Sequence, residues 1–460
     1  MRDTIRALLS MPPEEVRRLA SEHLNPKLVE ALELLGYGRD FVRAQGVHLW
    51  DSDGREHLDF LAGYGSLLLG HNHPEVRAAV EEVLQSSSPA FLQIAPQPLA
   101  AALARKLAGL TPGRALSIAY FTSSGSEAVE GAMKLARAVT RRPRFVSAER
   151  AYHGLTMGAL SITPGKKHRA PFGALLPGCA VVPWADAGSI ERELRHRDVA
   201  AVVLEPAQGE GGMRTAPRGY LADVARLCKR YGTLLVLDEV QTGLGRTGRI
   251  FACEHEAVEP DVICLAKGLS GGLVPISAYL TRRSLWDRAY GTLERYDSHS
   301  ATFSGGAIAC AAALAAVEVL ERDRLWRNAA EVGAYLGERL RAVCAGHPSV
   351  AEVRGIGLMW GVELRGVGPK PTAELAAQWA CVGLMERGVV TQVCTEAPDT
   401  IRAEPALIAD RGHVDRFVDA LEGTLADQAR TPLSAVAGVA GKLVGTAVAK
   451  LTGQAARRSP

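Results

Sequence analysis

Nowhere in this chain do lysines and arginines cluster with aromatic residues, and 53 basic against 50 acidic side chains leave a formal net charge of only +3. Neither feature gives a footing for nucleic acid or an anionic membrane surface, so no such partner is expected. Long apolar runs are missing too. The longest, residues 307–317, is far short of the ~20 residues a membrane span needs and reads as a buried helix. Paired cysteines are absent: Cys179, Cys228, Cys253, Cys264, Cys310, Cys344, Cys381 and Cys394 are scattered, with no Cys-x-x-Cys. Several sit in apolar surroundings, where a cysteine acts as a small hydrophobe. With no leader peptide at the start, this pattern fits a reducing cytoplasm. No metal is expected either. In Gly70-His71-Asn72-His73-Pro74 the two histidines fit no helical pair and have no cysteine or acid cluster beside them, so Pro74 as a helix start is the better reading.

What is present is an ordinary globular composition, 47% hydrophobic and 22% charged over 460 residues, enough for two or three domains around a large core. The most informative stretch is 234–272. Leu234-Leu235-Val236-Leu237 is apolar without alternation, the mark of a strand buried on both faces of a parallel sheet. Asp238 and Glu239 follow at once, then Val240-Gln241 and a glycine-rich turn reaching Gly248. A second apolar run, Val262-Ile263-Cys264-Leu265-Ala266, ends on Lys267. A carboxylate and a lysine thus stand just past the ends of two strands, where open α/β sheets bind their ligands. Either alone would be read as a turn former or a solvated lysine. Together they suit pyridoxal phosphate, whose aldehyde needs an amine and whose ring nitrogen needs a carboxylate to stay protonated. Asp238-Glu239-Val240-Gln241-Thr242-Gly243, followed by Leu265-Ala266-Lys267-Gly268, resembles the class III aminotransferases of the aspartate aminotransferase superfamily.

Along the chain, residues 1–45 carry helical periodicity, and 47–60 read as a hairpin around Ser52-Asp53-Gly54. From 90 to 306 short apolar runs alternate with helical segments, the signature of a mostly parallel sheet, with the clearest strands at 118–121, 144–146, 201–204, 234–237 and 262–265. A helix around 307–321 follows. Residues 322–430 then hold two long amphipathic helices with strands at 357–364 and 400–402, a smaller α+β unit. The tail 432–460 is rich in Ala, Gly and Val, and Gly438, Gly441 and Gly445 argue against a stable helix there. The organisation expected is an N-terminal extension with part of the small domain at 1–89, a large cofactor-binding domain at 90–306, a C-terminal small domain at 307–430 and a mobile tail at 431–460. The resemblance covers about residues 20–430. It implies an α/β protein of pyridoxal-phosphate fold type I, with a mostly parallel large-domain sheet and a smaller α+β domain, assembled as a homodimer.

Phe121-Thr122-Ser123-Ser124-Gly125-Ser126-Glu127 lies between a strand and a helix and exposes backbone N–H groups and hydroxyls where a phosphate is favoured. Ser124-x-x-Glu127 reads equally as a capping box. The resemblance implies that Gly125 and Ser126 hold the cofactor phosphate, with serine where the family usually has threonine. It implies that Tyr152, in Tyr152-His153-Gly154, covers one face of the cofactor ring and Val240 the other. It implies further that Gln241 bonds the ring's phenolic oxygen and Asp238 the ring nitrogen, and that Lys267 is the catalytic lysine. Thr302, within His299-Ser300-Ala301-Thr302-Phe303-Ser304, is implied to reach the phosphate of the neighbouring subunit. There the chain departs from the family's usual Gly-Gly-Asn-Pro, continuing Ser304-Gly305-Gly306-Ala307. Glu205, in Glu205-Pro206-Ala207-Gln208-Gly209-Glu210, is implied to face Arg402 of Ile401-Arg402-Ala403-Glu404-Pro405, an arginine that binds an α-carboxylate. Tyr64 belongs to the wall Ala62-Gly63-Tyr64-Gly65-Ser66, expected to shape the choice of amine.

The activity these resemblances imply is transfer of a terminal primary amine, from a putrescine-like diamine or an ornithine-like amino acid, with 2-oxoglutarate and glutamate as the partner pair. Glu22-His23-Leu24-Asn25-Pro26-Lys27-Leu28, Leu175-Leu176-Pro177-Gly178 and Phe251-Ala252-Cys253-Glu254-His255-Glu256 are similar to segments of putrescine aminotransferases. The alternatives are acetylornithine, ornithine or 4-aminobutyrate aminotransferases, or an aminomutase or decarboxylase on the same fold. The last two need no second 2-oxo acid and hence no Glu205/Arg402 pair. Lys267, Asp238 and Gln241 together argue against a binding protein without catalysis.

Overall fold

Uninterrupted apolar runs become the strands of a seven-stranded sheet in the computed structural model, which describes residues 2–34, 37–92, 94–366 and 372–430. In chain order they are β1 (Ile118–Thr122), β2 (Arg144–Ala148), β3 (Cys179–Val182), β4 (Val199–Leu204), β5 (Leu234–Asp238), β6 (Val262–Leu265) and β7 (Ser277–Thr281). Across the sheet the order is β1-β7-β6-β5-β4-β2-β3. The pairs β2–β3, β2–β4, β4–β5 and β5–β6 are parallel, and β7 runs antiparallel to both its neighbours. The strands expected from the sequence stand where they were read, some extended by one or two residues.

Every residue of β4 and β5 is buried, because helices cover both faces. Val203, Val236 and Val262 pack with the helix Gly125–Thr140 on one side. Val202, Leu235, Leu237 and Ile263 meet the helices Tyr220–Tyr231 and Ala307–Arg322 on the other. Each fully buried aliphatic side chain contributes about 1.5–3 kcal/mol, so the strand ends are held rigidly. The helix Ala307–Arg322 also packs on Pro74–Gln85, whose first residue is Pro74, and on the 3-10 turn Lys267–Ser270.

The hairpin His48–Asp51 with Glu56–Asp59 is present. It gains an edge strand, Phe41–Gln45, so the helical reading of the first 45 residues ends with the helix Pro26–Leu34. Tertiary pairing overrides local periodicity at that point. A fourth strand, Val389–Val390, comes from far downstream and lies parallel to Glu56–Asp59. The C-terminal part forms an antiparallel sheet of Val350–Ile356, Met359–Leu364 and Thr400–Ala403, with the helices Leu325–Cys344, Ala373–Glu386 and Arg411–Arg430. The strand read from residue 357 starts at Met359 instead, since Gly357, at φ +56°, makes the hairpin turn. The tail reading, 431–460, lies outside the described residues. Among those described, no helix is long and apolar enough to cross a membrane.

Candidate active site

The carboxyl ends of β5 and β6 open on a cavity of about 510 Å³. Asp238 is the last residue of β5, and the chain turns there so that Val240 N–H donates to Asp238 Oδ1 at 3.1 Å. Asp238 Oδ2 lies 2.8 Å from Nδ1 of His153, which is buried. Burial disfavours a charged imidazole, but the hydrogen bond and charge of Asp238 outweigh it and raise the His153 pKa. His153 and Asp238 therefore stand as a hydrogen-bonded pair at this wall. Just past β6, Lys267 has φ +43°, a strained backbone of the kind that collects at functional sites. Its Nζ donates to Gln241 Oε1 at 2.7 Å. Desolvation lowers the Lys267 pKa against the opposing charges of Glu404 and Glu210, which favours a neutral, nucleophilic amine.

At the other end of the cavity the capping box is formed. Ser124 Oγ accepts from Glu127 N–H at 3.3 Å, and the Glu127 carboxylate accepts from the N–H groups of Ser123 at 2.7 Å and Ser124 at 2.9 Å. The box does not use the N–H groups of Gly125 and Ser126, which as first-turn donors have no intrahelical partner. Cap and phosphate cradle are therefore compatible readings of one motif. A Cβ on Gly125 would lie 3.2 Å from Val240 Cγ1, so the missing side chain lets the helix end close on the cavity. Ser126 Oγ accepts from Leu155 N–H at 3.2 Å and keeps its own proton to donate. Tyr152 and Val240 also line the cavity, together with Glu205, Gln241 and Lys267.

Arg402 lies on the strand Thr400–Ala403 and is 0% exposed. Its Nη2 donates to Glu210 Oε2 at 2.6 Å and its Nη1 to Glu404 Oε2 at 3.3 Å, while its guanidinium sits 4.9 Å from the centroid of the Tyr64 ring. Glu205, the expected partner of Arg402, does not hold it. The Glu205 carboxylate accepts instead from the backbone N–H groups of Tyr152 and Gly209, each at 3.1 Å. After β4 the chain folds back, pairing Ala207–Gln208 with Arg214–Thr215. Glu205 is thus held by amides of its own loop and of the segment after β2, and Glu210 is the residue carried to the arginine. Burial pushes the Glu205 carboxyl up to about 7, opposed by His153 and aided by Asp238. Burial also acts on Glu210, but the charges of Arg402 and Lys267 more than offset it and hold that carboxyl at about 2.

Three residues escaped the sequence reading. His153 stood inside a quoted motif beside Tyr152, Glu210 inside the loop of Glu205, and Glu404 two places after Arg402, a spacing that puts both on one face of an extended chain. Thr302 is exposed in this chain and does not line the cavity.

A buried amine, a carboxylate braced by a histidine and a helix N-terminus with donors to spare suit an aldehyde cofactor that carries a protonated ring and a phosphate. The fold and the donor set therefore define a pyridoxal-phosphate-dependent α/β enzyme. Comparison narrows the class. The chain belongs to the class-III aminotransferases, whose family model, Aminotransferase class-III, matches residues 36–425. It is 38% identical to aminotransferase PigE of Serratia sp. (strain ATCC 39006), over 93% of this chain and 55% of that protein, so it spans about half the length of that relative. It is also 38% identical to the putrescine aminotransferase of Pectobacterium atrosepticum, over 90% of this chain and 91% of the other. The crystal structure of ornithine aminotransferase from Toxoplasma gondii ME49 matches with a TM-score of 0.84 at 28% identity, over 93% of this chain and 98% of that one.

Proposed function

We propose that the enzyme moves the amino group of a terminal primary amine, a putrescine-like diamine or an ornithine-like amino acid, onto 2-oxoglutarate, as a cytoplasmic homodimer. The observation that carries this reading is the buried Arg402 with Glu210 at 2.6 Å. 2-Oxoglutarate brings a carboxylate that an arginine clamps in a bidentate pair, whereas a diamine brings a distal ammonium that a bare arginine repels. One site serves both if an anion covers the arginine in one half-reaction and leaves it in the other. Glu210 is that anion. The likeness to a protein named putrescine aminotransferase supports the diamine, and the eight unpaired cysteines support a reducing compartment.

Pyridoxal phosphate, when bound, supplies an aldehyde that condenses with amines and a ring that takes up electrons. The side chains of this protein divide the remaining work. Gly125 and Ser126 would hold the phosphate at the helix end, and Thr302 would reach the same group across a subunit interface. Asp238, braced by His153, would hold the proton on the ring nitrogen. Tyr152 and Val240, which line the cavity, would cover the two ring faces. Lys267 Nζ, whose pKa desolvation lowers, is the base placed to take the proton from the substrate carbon that bears the nitrogen. The test is a panel of amine donors given to the purified enzyme with 2-oxoglutarate while glutamate is measured. Diamines and ornithine-like amines are expected to yield glutamate, and no glutamate from any terminal amine overturns the reading.

A further inference from the structure

Glu404 directly follows the strand Thr400–Ala403 and is 0% exposed. A carboxylate buried this completely must be matched by donors and cations. Gln241 Nε2 lies 2.9 and 3.0 Å from its two oxygens, Arg402 Nη1 is at 3.3 Å, and Nε of the buried Arg246 is at 3.8 Å. The backbone opposite makes room for it. A Cβ on Gly65 would fall 2.5 Å from Glu404 Oε1, and Gly65 adopts φ +80°. The wall that carries Tyr64 can approach Arg402 only because position 65 has no side chain.

Two consequences follow from this placement. A carboxylate can only accept, so Gln241 must turn its amide nitrogen to Glu404 and its carbonyl to Lys267, which donates to Oε1 at 2.7 Å. Gln241 is thereby fixed with its amide nitrogen on both oxygens of Glu404 and its carbonyl on Lys267. In addition, Arg402 touches two anions of different kinds: Glu210 on a folded-back loop and Glu404 anchored beside a strand. If Glu210 withdraws, Glu404 remains.

We propose that Glu404 is a positioning and specificity-determining residue: it orients the Gln241 carbonyl toward Lys267, and it tempers Arg402 so that a donor with a second, cationic end is accepted. The inference rests on the diamine reading above. Glu404→Gln keeps the shape and an acceptor for Gln241 while removing the charge. The expected result in the holoenzyme is a KM for the diamine raised roughly 10–50-fold, the scale of one unit charge several ångström away at an effective dielectric of about 20. The KM for a monoamine of equal length stays near that of the parent. Glutarate, a dicarboxylate with no keto group to react, binds the variant more tightly by calorimetry. Equal changes for diamine and monoamine, or unchanged glutarate binding, overturn the proposal. If Glu404→Gln fails to fold, Glu404→Asp decides: it keeps the charge and is expected to keep the preference for diamine over monoamine, and loss of that preference refutes the role. A parent enzyme that does not use diamines refutes the diamine reading on which this rests, before any variant is made.

Discussion

Replacing Glu210 by glutamine removes the anion from Arg402 and keeps the volume of the side chain. Glu210 is only 6% exposed, so solvent screens the pair little. Burial pushes its carboxyl up, yet Arg402 and then Lys267 hold it at about 2 against an ordinary 4.5. At 1.36 kcal/mol per pH unit, that difference amounts to about 3 kcal/mol of favourable interaction. Converted at 1.4 kcal/mol per tenfold, the loss is roughly 10²-fold. Stopped-flow absorbance of the two half-reactions separates its effects. With the diamine, Arg402 is left short of an anion against a distal ammonium, and the reaction should slow by roughly that 10²-fold. With glutamate, where Arg402 must be uncovered anyway, the rate should hold or rise. The pH dependence has a definite sign. Because the folded carboxyl titrates below its unfolded value, the pairing is present above 4.5 and lost only as pH falls through about 2. Glu210 should therefore add no step to the parent's diamine profile between about pH 6 and 9. Equal slowing of both half-reactions, or a Glu210-dependent step near neutrality, refutes the reasoning.

Lys267→Ala is expected to leave a folded protein that binds the cofactor phosphate yet turns over many powers of ten more slowly, and single-turnover rates within about tenfold of the parent remove Lys267 from its role. Glu205→Gln tests a buried acid whose folded pKa is raised to about 7 from 4.5: its contribution is full below 4.5 and is lost as pH rises through about 7. The glutamine variant should match the parent near pH 4.5 and exceed its stability near pH 8 by up to about 3 kcal/mol in denaturant titrations, and parallel stability curves contradict the assignment. Mixing an inactive Lys267 variant with a Thr302 variant should yield hybrid dimers with one intact site. Activity no higher than that of the separate variants, once hybrids are shown to form, places Thr302 in its own chain's chemistry.

The sequence by itself determined the sheet and the two residues at its heart. A strand covered on both faces can hold only apolar residues, so β5 and β6 are legible as unbroken runs, and Asp238 and Lys267 announce themselves as polar residues at their ends. The helix N-terminus at Ser124 was legible for a similar reason, since capping is satisfied within four residues. Only the tertiary structure decided the edge strand Phe41–Gln45, whose pairing outranks its helical pattern, and the partner of Val389–Val390 more than 300 residues earlier in the chain. It also decided which glutamate answers Arg402. Glu205 and Glu210 share one glycine-rich loop, and their local chemistry is alike. The backbone N–H groups of Tyr152 and Gly209 claim the first, and that fold-back delivers the second to the guanidinium. Gln241 and Glu404 meet across 163 positions. In a dry interior every charge must find its counterpart, and packing chooses which one lies within reach.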